Sequence, residues 1–384
     1  MADTRAAKLR RLWLNVHLWI GVGFCALLIP ISVSGSLLVW HDEIDSWINP
    51  QRYAVSASPT LLPPVVYLAQ AQEAVASDPA RATALRYPEP GWPMRVVMRA
   101  QPSEPDARPR VLTVYLDPST AKVLDVVDFR SSFFGFLHVF HENLTVPEYS
   151  GRQIVGWAGV GMLLLSLTGI WLWWPRGGNF LRGLRWRRSV LFTFNVHHLL
   201  GFWISLPLAV VSATGIYLSF PQTAREAMSS IAPMTPQAQR GFGGQIAQRT
   251  ALTADQALAA ALTAEPKARP VALFLPIQQR ERPLTWRTQL SRAGSGEIVT
   301  VTTDDRSGQT SPATAMLSGD RAAAWIRWIH EGSHSGIVWA VVVTLTGIFP
   351  TIFAVTGIIM WLRKRSDRKE LAGKGAKPRL RPAA

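Results

Sequence analysis

The sequence predicts an α-helical membrane protein. It has four transmembrane helices in a duplicated arrangement, with a small α+β domain between the two spans of each half. Three observations predict this. Four apolar windows, 14–40, 152–174, 193–219 and 337–362, are long enough to cross a hydrocarbon core of about 30 Å. The net charge of +15 is confined to short segments beside those windows. And the chain repeats itself: Asn15-Val16-His17-Leu18-Trp19-Ile20-Gly21 recurs 180 positions later as Asn195-Val196-His197-His198-Leu199-Leu200-Gly201.

Residues 1–13 read as a basic cytoplasmic N-terminus and 14–40 as the first span. The N-terminus has the charge of a signal peptide. Its apolar stretch runs past the length of an h-region, however, and lacks a small-x-small cleavage site, so it reads as a retained helix. Residues 41–151 form a first extramembrane domain with the segment that leads into span two, 152–174. In it Leu61–Ser77 has helical apolar spacing, and Thr83–Tyr87, Met94–Arg99 and Arg110–Asp117 read as strands. A basic loop, 175–192, leads to span three, 193–219. The second domain, with its lead-in to span four, occupies 220–336. Here Thr253 is placed to cap a helix over Asp255–Ala264, and Val271–Leu275, Thr285–Leu290 and Glu297–Thr302 read as strands. Asp117-Pro118-Ser119-Thr120 and Asp304-Asp305-Arg306-Ser307-Gly308 occupy equivalent turns. Span four is 337–362, and 363–384 is a basic cytoplasmic tail.

Charge sets the orientation. Segments 1–13, 175–192 and 363–384 hold 18 Lys/Arg against 3 Asp/Glu, while the rest of the chain balances 22 against 22. The positive-inside rule puts both termini and the 175–192 loop in the cytoplasm and the two domains in the periplasm. Ten tryptophans near the span ends, among them Trp13, Trp40, Trp174 and Trp361, match an interfacial belt. The basic segments are short and juxtamembrane, which fits topology signals or anionic-lipid contacts and excludes a nucleic-acid reading of the high pI. Cys25 is the only cysteine and lies within span one, so disulfides, Cys-x-x-Cys-His attachment and iron–sulfur clusters are excluded.

All eight histidines lie near membrane boundaries. Imidazoles are costly there, and repeating them at matched positions implies a task. His17 and His197 are repeat equivalents at the cytoplasmic ends of spans one and three. His141 in Phe140-His141-Glu142 and His330 in Ile329-His330-Glu331 are equivalents on the periplasmic side. Axial ligation of a non-covalent haem needs two neutral imidazoles from facing helices, so each pair is predicted to clamp one haem b. Two histidine ligands leave iron no open position, which favours electron transfer over oxygen chemistry. Gly21 and Gly201 follow one turn after the first pair, on the same face, where a flat macrocycle could approach the backbone.

His198 points about 100° away from His197 on a helix. His334 is one turn from His330 and could replace it; His138 is near His141, but its repeat equivalent is Arg327. His41 has no repeat counterpart and reads as interfacial. Each of these has a bland reading as a satisfied interfacial residue. Arg152 and Arg327 could pair with haem propionates, and Gly156, Gly159 and Gly161 could permit close helix packing. Pro30, Pro207 and Pro350 sit inside spans. No Gly-x-Ser-x-Gly, His-Glu-x-x-His, phosphate-binding loop or dinucleotide fingerprint occurs, so no catalytic residues are assigned and an electron donor would be a separate protein or membrane carrier.

The histidine–glycine helix starts, Tyr115-Leu116-Asp117-Pro118, Arg152-Gln153-Ile154-Val155-Gly156, Thr168-Gly169-Ile170-Trp171-Leu172-Trp173-Trp174-Pro175 and Ile329-His330-Glu331-Gly332 together resemble the PepSY-associated transmembrane family over nearly the whole chain. The resemblance implies a span–PepSY–span unit used twice. Some members resemble inner-membrane diheme ferric-siderophore reductases, which implies an Fe(III)-siderophore as the electron acceptor, held between the two periplasmic domains. The other readings are a non-enzymatic PepSY binding or regulatory module and an accessory permease subunit. One residue departs from the family pattern: Ala121 stands where the Asp-Pro-x-Thr-Gly turn has glycine, which puts that turn's shape in question.

Overall fold

The computed structural model describes residues 5–57, 60–100, 110–175, 181, 184, 189–236, 245–278 and 283–373. The 175–192 loop and the end of the basic tail therefore lie largely outside the described residues. Among those described, the helices are α1 (Arg5–Val39), α2 (His41–Ile48), α3 (Pro64–Ala74), α4 (Phe133–Asn143), α5 (Gly151–Trp173), α6 (Phe192–Ser219), α7 (Pro221–Ile231), α8 (Ala254–Ala264), α9 (Ser318–Glu331) and α10 (Gly336–Gly373). The strands are β1 (Ala80–Arg86), β2 (Met94–Ala100), β3 (Arg110–Leu116), β4 (Val123–Asp128), β5 (Gln245–Ile246), β6 (Ala268–Phe274), β7 (Ile277–Gln278), β8 (Thr285–Arg292), β9 (Ile298–Asp304) and β10 (Thr314–Ala315). The chain divides into two compact units. One holds Met1–Trp40, Leu137–Ala227 and Ala323–Ala384; the other holds His41–Phe136 and Met228–Ala322.

The helical unit is built on α1, α5, α6 and α10, the four helices long and apolar enough to cross a membrane. Each packs on two others: α1 on α10 and α5, α6 on α5 and α10. Small residues set the closest approaches. A Cβ on Gly347 of α10 would collide with Ser36 Oγ and the Ser32 carbonyl of α1. On α5, one on Gly156 would lie 2.5 Å from Phe220 and one on Gly159 3.1 Å from Ile216, while one on Gly161 would touch Ile20 at 3.6 Å. Without a hydrophobic driving force between lipid-solvated helices, such close backbone contact is what holds them together. Two helices overrun the expected spans. α1 starts at Arg5, and Arg10 donates to the Leu172 carbonyl at 3.0 Å, near the C-terminal end of α5. There the last carbonyls of a helix lack intrahelical partners.

The second unit is built on an eight-stranded antiparallel sheet in the order β10-β9-β8-β6-β1-β2-β3-β4, with β5 and β7 paired apart from it. The sequence suggested two separate α+β domains. Instead their edge strands β1 and β6 pair, with Ala84 opposite Phe274, Leu85 opposite Leu273 and Arg86 opposite Ala272. Pairing satisfies the row of backbone groups that each half alone would leave open. β2 shows how the pattern dictates burial. In Met94-Arg95-Val96-Val97-Met98-Arg99-Ala100 every second side chain is buried, and Met94, Val96 and Met98 are fully so. These face α3 and α8, whose Tyr67, Ala71, Ala254 and Ala257 complete one core with Leu85, Leu116, Leu273 and Trp286. Each fully buried large side chain contributes about 1.5–3 kcal/mol.

Thr253 caps α8 with a reciprocal bond from Gln256, as its position predicts. The adjacent Asp255 accepts the Val65 N–H at 2.9 Å, so a residue of one half satisfies the start of α3 in the other. Ala121 adopts φ 55°, matching φ 70° at the equivalent Gly308, so the turn keeps its left-handed shape with an alanine in it. Asp117 secures the turn. It accepts N–H bonds from Ser56, Ser119 and Thr120. Burial opposes its ionisation, but the Ser56 and Ser119 bonds outweigh that and hold its carboxyl well below the usual carboxylate range.

Candidate functional site

Four histidines of the helical unit come together as two pairs. His17 on α1 and His197 on α6 have ring centres 6.3 Å apart; His141 on α4 and His330 on α9 have ring centres 6.2 Å apart. These are the repeat-matched residues singled out from the sequence. His17 and Ser34 are 17 residues apart on α1, as are His197 and Thr214 on α6. At about 1.5 Å of rise per residue this places the pairs about 25 Å apart along those helices, close to the thickness of a hydrocarbon core.

Each imidazole is held in the same way, by a Ser/Thr-Gly pair on a neighbouring helix. His17 Nδ1 lies 2.8 Å from Thr168 Oγ1, and His197 Nδ1 lies 2.9 Å from Thr356 Oγ1. His141 Nδ1 lies 2.9 Å from the Ile31 carbonyl and 3.2 Å from Ser34 Oγ. His330 Nδ1 lies 3.0 Å from the Val211 carbonyl and 3.2 Å from Thr214 Oγ1. The glycine that follows each hydroxyl faces the same ring. A Cβ on Gly35 or Gly215 would sit 2.8 Å from Cε1 of His141 or His330; one on Gly169 or Gly357 would sit 3.6 or 3.8 Å from Cε1 of His17 or His197.

These contacts decide the tautomer. A carbonyl only accepts, so His141 and His330 donate from Nδ1–H. The threonine hydroxyls at the first pair donate their own protons to helix carbonyls, Thr168 to Leu164 and Thr356 to Ile352. They are left as acceptors for Nδ1–H of His17 and His197. In a neutral imidazole with Nδ1 protonated, Nε2 carries the lone pair. Among the described residues no hydrogen-bond partner reaches the Nε2 of any of the four. Orienting a ligating histidine through its other nitrogen is how proteins prepare metal ligands.

The pairs fit haem. Two imidazoles on opposite sides of one metal place their ring centres about 6 Å apart, given metal–nitrogen bonds of about 2.0 Å. Both observed separations match. Among the described residues no group of three or more His, Cys, Asp or Glu side chains is arranged to hold a metal ion. Two imidazoles alone suit a metal whose remaining ligands come from a macrocycle. Beside the first pair, a Cβ on Gly201 would meet nothing within 4 Å and one on Gly21 only Leu165 at 3.8 Å, leaving room one turn from His17 and His197.

The remaining histidines stand elsewhere. His198 stacks on Trp173 and Phe194, and His334 stacks on Trp328 at 4.2 Å. His138 lies 3.7 Å from Glu142, and His41 bonds Asp42 at 2.6 Å and packs on Phe134. Arg152 and Arg327, which could pair with propionates, have carboxylate partners of their own: Glu142 at 2.9 Å and Glu331 at 3.3 Å. The hydroxyls and carbonyls around Nδ1 were not foreseen from the sequence. Their signal was present in the recurrence of Ser34-Gly35 as Thr214-Gly215 and of Thr168-Gly169 as Thr356-Gly357, but nothing in it says which imidazole each would meet.

No curated protein matches the chain. The family model of the PepSY-associated TM region matches residues 14–364, almost the entire chain, and the chain therefore belongs to that family.

Proposed function

We propose that this protein is a diheme b-type cytochrome of the bacterial inner membrane, with both termini cytoplasmic and the sheet unit in the periplasm. It passes electrons from a cytoplasmic or membrane donor to a periplasmic acceptor, an Fe(III)-siderophore by family resemblance. The observation that carries this reading is the pair of imidazole clamps. Their ring centres are 6.3 and 6.2 Å apart, every ring is anchored through Nδ1, and about 25 Å of helix lies between them. A bound haem supplies one-electron redox chemistry. The chain's own residues do the rest. His17 with His197, and His141 with His330, present Nε2 lone pairs from two sides. The hydroxyls and carbonyls lock the rings, and the glycines let helix and ring approach. Outward electron movement is helped by an inside-negative potential, by about 2.3 kcal/mol per charge per 100 mV for a full crossing. Reduction converts tightly chelated ferric iron into the more labile ferrous ion for uptake.

The test is spectroscopic. Protein purified in detergent should be red, give a b-type spectrum on dithionite reduction, and yield about two haems per chain by pyridine haemochrome. The reduced protein should then be reoxidised by a ferric siderophore. A preparation that stays colourless after haem-supplemented expression would overturn the reading, leaving a binding or regulatory module or a permease subunit.

A further inference from the structure

The face of the sheet opposite α3 and α8 carries a concentration of arginine that the fold does not need. Strand register places Arg86 directly opposite Arg95 and Arg81 directly opposite Arg99 on β1 and β2. Like charges facing one another across an antiparallel pair destabilise it. On the same face, Arg287 of β8 stands opposite Phe274 of β6, with its guanidinium 5.2 Å from the ring centre, and Arg269 stands opposite Ser291. Carboxylates do not offset this. Among the described residues neither Arg86 nor Arg287 has an ion-pair partner, and Arg95 reaches only Asp42, at 3.8 Å. Desolvation, then Arg95, lowers the pKa of Arg86; desolvation lowers that of Arg287.

The arrangement has a centre at the seam where the two halves of the sheet join. Arg86 on β1 is opposite Ala272, and Arg287 on β8 is opposite Phe274, two residues further along the same strand. The two arginines thus flank β6 from strands about 10 Å apart, and Arg95 lies beyond Arg86. Between them on β6 lie Ala272 and Phe274, with Ala84 opposite Phe274 on β1, and both alanines are buried. Guanidinium forks on both sides of one strand match a ligand with carboxylates at both ends. A local rule broken without compensation is where function is expected.

We propose that this seam binds an anionic small molecule carrying several carboxylates, held by Arg86 and Arg95 on one side and Arg287 on the other. The proposal deepens the function above, on which it rests for the identity of the acceptor: that acceptor is an anionic, carboxylate-bearing ferric chelate, favoured over neutral or cationic chelates.

Calorimetric titration of the full-length detergent-solubilised chain with citrate and with ferric citrate tests it. Wild type should bind both, more weakly as salt rises, and R86Q/R287Q should lose about tenfold or more in affinity. R86K/R287K should recover part of the loss, since charge returns without the fork. R86Q alone should raise the thermal midpoint by about 1–4 °C through relief of the Arg86–Arg95 repulsion, a change that no folding defect produces. Equal citrate affinity in wild type and R86Q/R287Q overturns the proposal. So does tighter binding of phosphate than of citrate, or binding of phosphatidylglycerol vesicles with no citrate binding. Haem absorbance read in the same samples separates the two readings. Citrate binding by colourless protein sinks the cytochrome alone, and red protein indifferent to citrate sinks only this site.

Discussion

The His17–His197 pair and the His141–His330 pair have nearly the same ring separation but are held with different tightness. The nearest acceptor for Nδ1 is a threonine hydroxyl at the first pair and a backbone carbonyl at the second. The supporting glycines differ more. A methyl on Gly35 or Gly215 would press to 2.8 Å from the ring, whereas one on Gly169 or Gly357 would rest in ordinary contact. The second pair is therefore wedged between ring and backbone. The first is steered chiefly by a side-chain hydroxyl, so nearly the same ring separation is reached by two routes.

The sharpest way to break this contrast is at the glycines. G35A/G215A must push both imidazoles of the second pair aside and should cost about one haem per chain, with the other retained. G169A/G357A, made at the equivalent positions of the first pair, should keep the haem content of wild type. Equal losses from the two variants would show that the glycines do not distinguish the pairs.

Next in size are the hydroxyls. T168V/T356V removes the nearest acceptor from both rings of the first pair and should weaken haem retention there about 10–100-fold. With less electron donation from Nδ1–H, the midpoint potential of what remains should rise. S34A/T214V should do less, because the Ile31 and Val211 carbonyls still accept from His141 and His330. Redox titration with haem quantitation checks both, and a larger effect from S34A/T214V would reverse the assignment. The smallest effect lies outside the pairs. A121G relieves an alanine at φ 55° and should stabilise the sheet unit by about 1 kcal/mol in thermal or denaturant unfolding. No gain would mean that the turn carries no strain.

The helical architecture was largely legible in the sequence because apolar length and charge asymmetry are strong signals. The four spans emerge within a few residues where apolar runs begin, and fail at Arg5 and Gly373, where charged turns simply continue a helix. β4, Val123–Asp128, went unread because its Val-Leu-Asp-Val-Val-Asp run does not alternate cleanly, and the structure leaves it half-exposed. The joining of both halves into one eight-stranded sheet was invisible for a different reason. Val271–Leu275 and Thr83–Tyr87 each read as a strand, but pairing across nearly two hundred residues leaves no local mark. The two histidine pairs were legible through repetition, since His17 with His197 and His141 with His330 are matched in sequence. The Nδ1 anchors were not, because a Thr-Gly pair in a span is far more often simple close packing. The arginines facing one another across β1 and β2 became visible only once register was known.

The central claim is that each imidazole pair holds its own haem, and counting haem in paired variants tests it most directly. H17A/H197A and H141A/H330A should each retain about one haem per chain where wild type has about two, with distinct midpoint potentials in the two variants, and the quadruple variant should be colourless. If either double variant kept both haems, or wild type held none, the account of these pairs as haem clamps would be contradicted.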